Sequence, residues 1–289
     1  MPVLIDCNQV FISSVMAQMA MDKQIKPDVN VLRHMVLSSI LFFKSKFGEE
    51  FGELVFCDDG WRYWRKDIFP YYKSHRSKSR DDSKHDWTLI FEALKIIKNE
   101  LIEHFPYKFI RIEDAEADDV IACISKFEAE SLPQRSVLIL SNDRDFVQLQ
   151  KYSNVKQYSL REKRFIGVDC AKDYLFEKVL RGDSGDGIPN FLSDNDALAN
   201  PDKKQTRLYT KKIEEWKHNP KIDIITGGDK VLRKNIARNA RLIDFSFIPE
   251  EVETKIINEY TSQNPTKKDF MKYFIKNNLK LLLREANKF

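Results

Sequence analysis

Val137-Leu138-Ile139-Leu140-Ser141-Asn142-Asp143-Arg144-Asp145 runs from four apolar residues straight into a polar segment with two carboxylates. A short apolar run closed by turn residues has the length and composition of a fully buried strand. The same succession occurs three more times. Val3-Leu4-Ile5 ends in Asp6, and Leu54-Val55-Phe56-Cys57 ends in Asp58-Asp59-Gly60. Phe109-Ile110-Arg111-Ile112 ends in Glu113-Asp114-Ala115-Glu116-Ala117-Asp118-Asp119. Helical patterns from Asn30 to Lys46, Trp87 to Glu103 and Asp118 to Glu130 lie between the runs. Such alternation predicts an α/β fold: a mostly parallel sheet flanked by helices on both faces. Beyond about Gly182 the strand signals fade, and helical segments alternate with polar stretches up to a Lys- and Leu-rich helix near Asp269 to Glu285. The expected organisation is a sheet domain over 1–182 and a smaller, mostly α domain over 183–289.

In an open α/β sheet, ligands bind outside the carboxyl ends of the strands, so four strands that each deliver acids from that end should bring them together. A fifth group, Gly182-Asp183-Ser184-Gly185-Asp186-Gly187, sets two aspartates at i,i+3 on one side of a turn. Any single cluster has an ordinary explanation, because acids complement a helix N-terminus and Asp-Gly pairs form turns. All five at once favour a shared site. Like charges at ~4 Å repel by several kcal/mol at an effective dielectric of ~20, so the crevice calls for cations. With oxygen ligands only, Mg²⁺ or Mn²⁺ is expected over Zn²⁺. Two such ions about 3.5–4 Å apart can activate water and stabilise a leaving oxygen in phosphodiester hydrolysis.

Directly after the second strand's acids comes Trp61-Arg62-Tyr63-Trp64-Arg65-Lys66-Asp67-Ile68-Phe69-Pro70-Tyr71-Tyr72-Lys73-Ser74-His75-Arg76-Ser77-Lys78-Ser79-Arg80, dense in bases and aromatics. Basic side chains neutralise phosphates and aromatic faces stack on unpaired bases. A long insertion between strand and helix beside the acids reads as a binding arch near 61–86. Lys203, Lys204, Arg207, Lys211 and Lys212 form a further basic group suited to duplex phosphates, although such a run is often only a solvated face.

Composition removes other classes. Among 289 residues there are 9 Gly, 10 Pro and 20 Phe, which fits a globular chain rather than a collagen-like or disordered one. No run approaches the ~20 apolar residues of a membrane span. No Lys or Arg precedes Lys23, so the basic start of a secretory signal is missing. The four widely spaced cysteines suit neither a disulfide framework nor a zinc site, and a cytoplasmic setting is expected.

The ordered set Leu4-Ile5-Asp6, Phe56-Cys57-Asp58-Asp59, Tyr63-Trp64-Arg65-Lys66-Asp67, Tyr72-Lys73-Ser74-His75-Arg76, Glu116-Ala117-Asp118-Asp119, Ser141-Asn142-Asp143-Arg144-Asp145-Phe146 and Gly182-Asp183-Ser184-Gly185-Asp186-Gly187-Ile188-Pro189 resembles the flap endonuclease, or 5′-nuclease, superfamily. Within it the resemblance is strongest to the T-even phage ribonuclease H branch, whose members remove RNA primers. The resemblance implies a PIN-like nuclease domain with an arch, followed by a helical DNA-binding region. It implies metal-site roles for Asp6, Asp59, Glu116, Asp118, Asp143, Asp145, Asp183 and Asp186, with Asp119 acting through water and Asp58 the weaker of its pair. Lys73 and Arg76 match basic residues that contact the scissile phosphate; Arg65 and Lys66 become plausible nucleic-acid contacts, and Tyr72 a stacking candidate. The cofactor implied is Mg²⁺, two ions, with Mn²⁺ able to substitute. The partners implied are DNA and RNA–DNA duplexes with 5′ ends or flaps, together with a sliding clamp and a single-stranded DNA-binding protein, the chain itself acting as a monomer. A non-catalytic scaffold of the same fold that binds branched DNA is the alternative from another class.

The net charge of +4, from 48 Lys and Arg against 44 Asp and Glu, conceals this arrangement. Setting aside the nine acids of the expected metal site leaves 35 acids against 48 bases, a basic exterior around an acidic crevice.

Overall fold

A computed structural model describes residues 1–21, 28–74, 86–266 and 270–289. The first of them form β1 (Pro2–Asp6), α1 (Cys7–Met21), α2 (Val29–Phe51), β2 (Glu53–Asp58) and the short α3 (Trp64–Ile68). Then come α4 (Trp87–His104), β3 (Lys108–Arg111), α5 (Ala117–Glu130), β4 (Val137–Leu140) and a 3₁₀ segment, Arg144–Lys151. Strands β5 (Val155–Ser159) and β6 (Arg164–Ile166) complete a six-stranded sheet in the order β3-β2-β1-β4-β5-β6. All neighbours are parallel except β5 and β6. Chain order runs outward from β1 to β3 on one side and from β4 to β6 on the other, so the sheet reverses between β1 and β4. A reversal of this kind splays the flanking connections apart and opens a crevice at the strands' carboxyl ends.

β1, β2 and β4 are apolar at nearly every interior position because both faces of the sheet are covered there. Val3, Ile5, Leu54, Phe56, Leu138 and Leu140 point into one core with α1, α2 and α4. Leu4, Val55, Cys57, Ile110, Val137 and Ile139 point into the other, against α5 and α10 (Glu250–Ser262). Asp28 starts α2 by accepting hydrogen bonds from the backbone N–H of Asn30 and Val31, and Gly52, at φ +86°, ends it.

β5 and β6 do not stand out in the sequence as strands because Val155-Lys156-Gln157-Tyr158-Ser159 is largely polar. Gln157 and Ser159 are nonetheless buried, tied to the exit of β4: Gln157 Nε2 donates to the carbonyl oxygens of Ser141 and Asp143, and Ser159 Oγ to Asn142 Oδ1.

The remaining helices are α6 (Ala171–Arg181), α7 (Thr210–His218), α8 (Ile222–Thr226), α9 (Lys230–Ile243), α11 (Phe270–Lys276) and α12 (Lys280–Leu283). They do not form one separate body over 183–289. Leu180, Phe191, Ile213 and Ile225 centre a small core of their own, whereas Phe270, Tyr273, Phe274, Leu279 and Leu282 join the first sheet core around Phe105. The expected boundary at 182 therefore marks a change of secondary structure, not a division of cores. The single helix expected near 269–285 is broken at Asn278, which sits at φ +55° between α11 and α12. Among the described residues no helix is long and apolar enough to cross a membrane.

Candidate active site

At the carboxyl ends of the strands lies a crevice of about 400 Å³ whose lining includes Asp6, Asp59, Asp118, Asp143, Asp145, Asp183 and Asp186, together with Lys73. Each acid is delivered by a different local device. Asp6 is the last residue of β1, its Oδ1 accepting from the Gln9 N–H as α1 begins. Asp59 follows β2 and has both oxygens engaged, by Asn8 Nδ2 at 2.7 Å and the Ala117 N–H at 2.8 Å. Asp118 lies in the first turn of α5. Asp143 caps the 3₁₀ segment by accepting from the Asp145 N–H, which brings these two side by side. Asp183 and Asp186 share a turn closed by the Asp186 N–H on Asp183 Oδ1. That turn requires Gly182, at φ +70°, because an added Cβ would lie 2.3 Å from the Ile188 carbonyl oxygen.

Burial and mutual repulsion act on these carboxylates together. Burial, then the charges of Asp59 and Asp143, push Asp6 up to about 7. Burial and Asp143 push Asp145 up to about 7 despite Lys178. Burial, then Asp143, also hold Asp118 well above its ordinary value. Two ammonium groups relieve part of the strain. Lys178 is bonded to Asp145 and lies 2.7 Å from Asp183 Oδ2. Burial alone would raise Asp183, but Lys178 outweighs it and the pKa is lowered. Lys73 Nζ lies 2.5 Å from Glu116 Oε1 and 3.6 Å from Asp186 Oδ1, and the Lys73 backbone N–H donates to the Asp186 carbonyl, tying the segment after α3 to the 183–187 turn; residues 75–85 of the arch expected near 61–86 lie outside the described residues.

Glu116 sits one step behind the crevice wall. Besides Lys73 it accepts from Tyr72 Oη at 2.8 Å and Arg65 Nη1 at 3.0 Å. Burial would raise its pKa, but Lys73 and Arg65 hold it below the usual carboxylate range.

Four expected roles need correction. Glu116, expected among the metal-site acids, does not line the crevice, its oxygens being taken by Lys73, Tyr72 and Arg65. Asp119 does not face the crevice: it is fully buried, bonded twice by Arg65 and once by the Trp64 indole N–H, and its carboxylate also caps α5. Arg65 offers no donor to a phosphate, being 2% exposed and committed to Asp119, Glu116 and the Leu242 carbonyl. Tyr72 cannot stack on a base, because it is 2% exposed with its hydroxyl on Glu116 and Asp186. Lys66 stays exposed on α3, and Arg76 lies outside the described residues. Of the distal bases, Lys204, Arg207, Lys211 and Lys212 are exposed, while Lys203 is paired with Asp194 and Asp196.

Sequence reasoning missed Lys178, Asn8, Lys98 and Gln157. Lys98 Nζ, almost completely buried, donates to Asn8 Oδ1 and to Asp58 Oδ1, both at 2.5 Å. Fixing the Asn8 oxygen turns its NH₂ toward Asp59. Asp58 is held by Lys98 and Arg111 and is not among the residues that line the crevice.

All the ligand atoms available are hard oxygens, and three of the acids are held above their ordinary pKa by burial and repulsion, so the donor set suits Mg²⁺ or Mn²⁺. Among the described residues no three His, Cys, Asp or Glu side chains stand closed around one ion position.

The chain matches the family described as 5′-3′ exonuclease, N-terminal resolvase-like domain, over residues 2–178, and that described as T4 RNase H, C terminal, over 170–289. It is 32% identical to the ribonuclease H of Enterobacteria phage T4, covering 99% of this chain and 95% of the relative. A 29% identity to DNA polymerase I of Lactococcus lactis covers 47% of this chain and 16% of that protein. Its fold matches the bacteriophage T5 flap endonuclease solved in complex with DNA and metal ions, with a TM-score of 0.64 and 17% identity over 90% of this chain and 97% of the other. The chain thus belongs to the 5′-3′ exonuclease family of nucleic-acid hydrolases, carrying the C-terminal region of the phage T4 ribonuclease H type.

Proposed function

We propose that the protein is a Mg²⁺-dependent 5′-nuclease that hydrolyses phosphodiesters near the 5′ end of RNA or DNA strands annealed to a template, RNA primers and 5′ flaps included. The observation that carries this reading is the convergence of seven carboxylates on one crevice with Lys73 at its edge. Asp6, Asp59, Asp118, Asp143, Asp145, Asp183 and Asp186 would hold two divalent ions, Mn²⁺ substituting for Mg²⁺. Such ions, when bound, supply an activated water and stabilise the leaving 3′ oxygen. The chain's own residues do the rest. Asn8 and the Ala117 N–H orient Asp59; Lys178 keeps Asp145 and Asp183 apart from full repulsion. Lys73, anchored by Glu116, presents its ammonium to the scissile phosphate, where a fixed positive group favours developing negative charge. Lys204, Arg207, Lys211 and Lys212 supply exposed charge for duplex phosphates. No covalent intermediate is needed. The setting proposed is replication in the cytoplasm, that of the host if the chain is phage-encoded, beside a sliding clamp and a single-stranded DNA-binding protein, with the chain acting as a monomer.

The test is a 5′-labelled RNA primer annealed to DNA, incubated with and without Mg²⁺. Short 5′-phosphate products are expected only with the ion. Binding without metal-dependent cleavage would sink the enzyme reading and favour a scaffold.

A further inference from the structure

Next to the acid crevice, against the ends of β2 and β3, lies a second cavity of about 440 Å³. It shares Asn8, Asp59 and Phe91 with the crevice, so the two adjoin along one wall. Its outer side is formed by Trp61, Lys95 and Arg111. Trp61 is 73% exposed, an unusual position for an indole, whose large apolar surface ordinarily drives it into a core. The backbone beneath it is clamped. The Gly60 N–H donates to the Ala115 carbonyl at 2.8 Å and the Arg62 N–H to the Glu113 carbonyl at 3.1 Å. A Cβ at Gly60 would come within 2.2 Å of the Ile112 carbonyl oxygen, so only glycine permits this approach. The indole is thus held out on a firm support. Charge on the wall is net positive by one: Lys95, Lys98 and Arg111 stand against Asp58 and Asp59, with Lys98 and Arg111 both bonded to Asp58 and Lys95 exposed on α4.

We propose that this cavity is a subsite for one unpaired nucleotide of the cleaved strand, its base stacked on Trp61 and its phosphate near Lys95 and Arg111. The volume lies in the roughly 300–1,000 Å³ range of small-ligand sites and suits one nucleotide rather than a base pair. An aromatic platform with adjacent cations binds single strands without reading their sequence. Resting on the 5′-nuclease reading, the nucleotide belongs to the 5′ side of the scissile bond, because the 3′ side is paired with template.

The experiment measures fluorescence anisotropy of the full chain, in EDTA to prevent cleavage, on two duplexes that differ only in an unpaired 5′ overhang. Trp61→Ala should weaken overhang binding about tenfold, the loss of one base–aromatic stack, and change binding of the duplex without overhang by less than about twofold. Trp61→Phe should restore most of the affinity. Lys95→Ala should weaken overhang binding and reduce its salt dependence by the equivalent of about one neutralised phosphate. 2-Aminopurine at the first unpaired position should be quenched by the wild type and by Trp61→Phe, not by Trp61→Ala. Unchanged overhang binding in Trp61→Ala, or equal loss on both duplexes, overturns the subsite. Failure of the wild type to cut the overhang substrate in Mg²⁺ would instead overturn the nuclease reading, with the binding comparison still deciding this one.

Discussion

Arg65→Met should destabilise the protein strongly while sparing its direct contacts with nucleic acid. The guanidinium donates to Asp119 at 2.7 and 2.9 Å, to Glu116 at 3.0 Å and to the Leu242 carbonyl at 2.9 Å. Side-chain exposure is 3% for Arg65 and 0% for Asp119. Methionine fills most of the volume but leaves Asp119 with two neutral donors, the Trp64 indole and the Glu116 N–H, and no counter-charge. Removing one partner of a buried pair costs about 3–5 kcal/mol. At roughly 2–4 °C per kcal/mol for a chain of this size, the melting temperature should fall by about 6–20 °C. Calorimetry in EDTA reads this directly. The double variant Arg65→Met with Asp119→Leu should recover part of the loss, since no isolated charge remains. The reasoning is refuted if Arg65→Met melts within about 2 °C of the wild type, a shift of under ~1 kcal/mol. A variant that keeps its melting temperature but loses DNA affinity would return Arg65 to the surface role that its sequence context suggested.

Asp143→Asn should abolish cleavage and leave DNA binding in EDTA within about twofold, since a crevice carboxylate contributes little to duplex affinity; turnover at the wild-type rate would remove Asp143 from the mechanism. Asn8→Leu and Lys98→Met should each lower Mn²⁺ affinity by about 10–100-fold, the usual effect of losing a group that orients a ligand, as read by electron paramagnetic resonance of free Mn²⁺. Unaltered binding would show that Asp59 is held without them. Burial and neighbouring carboxylates push Asp6 and Asp145 up to about 7 from the ordinary 3.8, so the folded state keeps protons that the unfolded chain has released. Their contribution to stability is full below about pH 4 and is lost as pH rises through 7. In EDTA, Asp145→Asn should therefore lose less melting temperature between pH 5 and pH 8 than the wild type; an equal or steeper loss would contradict the assignment. Replacing Lys204, Arg207, Lys211 and Lys212 with alanine should flatten the salt dependence of duplex binding by about 0.9 in log–log slope for each phosphate that is no longer neutralised, and an unchanged slope would leave them as a solvated face.

What the sequence discloses depends on whether a feature repeats. The crevice acids are legible because four apolar runs each end in carboxylates, and strand polarity in a parallel sheet forces such ends together. Arg65, Tyr72 and Asp119 mislead for a physical reason: a basic or aromatic residue beside an acidic site looks the same whether it faces a phosphate or buttresses the wall. Only the partners differ, and Asp119 and Leu242 lie 54 and 177 residues from Arg65 in sequence. Lys178, Asn8 and Lys98 are single polar residues with no periodicity, and their roles arise from contacts across the fold. β5 is hidden because two of its four buried positions are filled by Gln157 and Ser159, which serve the β4 exit through hydrogen bonds rather than through apolar packing.

The return of α11 and α12 to the sheet core bears on how the protein comes into being. Phe105 touches Phe270, Tyr273, Phe274 and Phe289, so one wall of the first sheet core is supplied from residues 270–289. On a ribosome, every strand and every crevice acid emerges well before that wall does. The sheet must wait with Phe105 uncovered while the intervening helices are made. Assembly of the hydrolytic centre is thereby coupled to translation of the distal segment, and a nascent fragment stopping near residue 250 would hold all seven crevice acids on an unfinished scaffold.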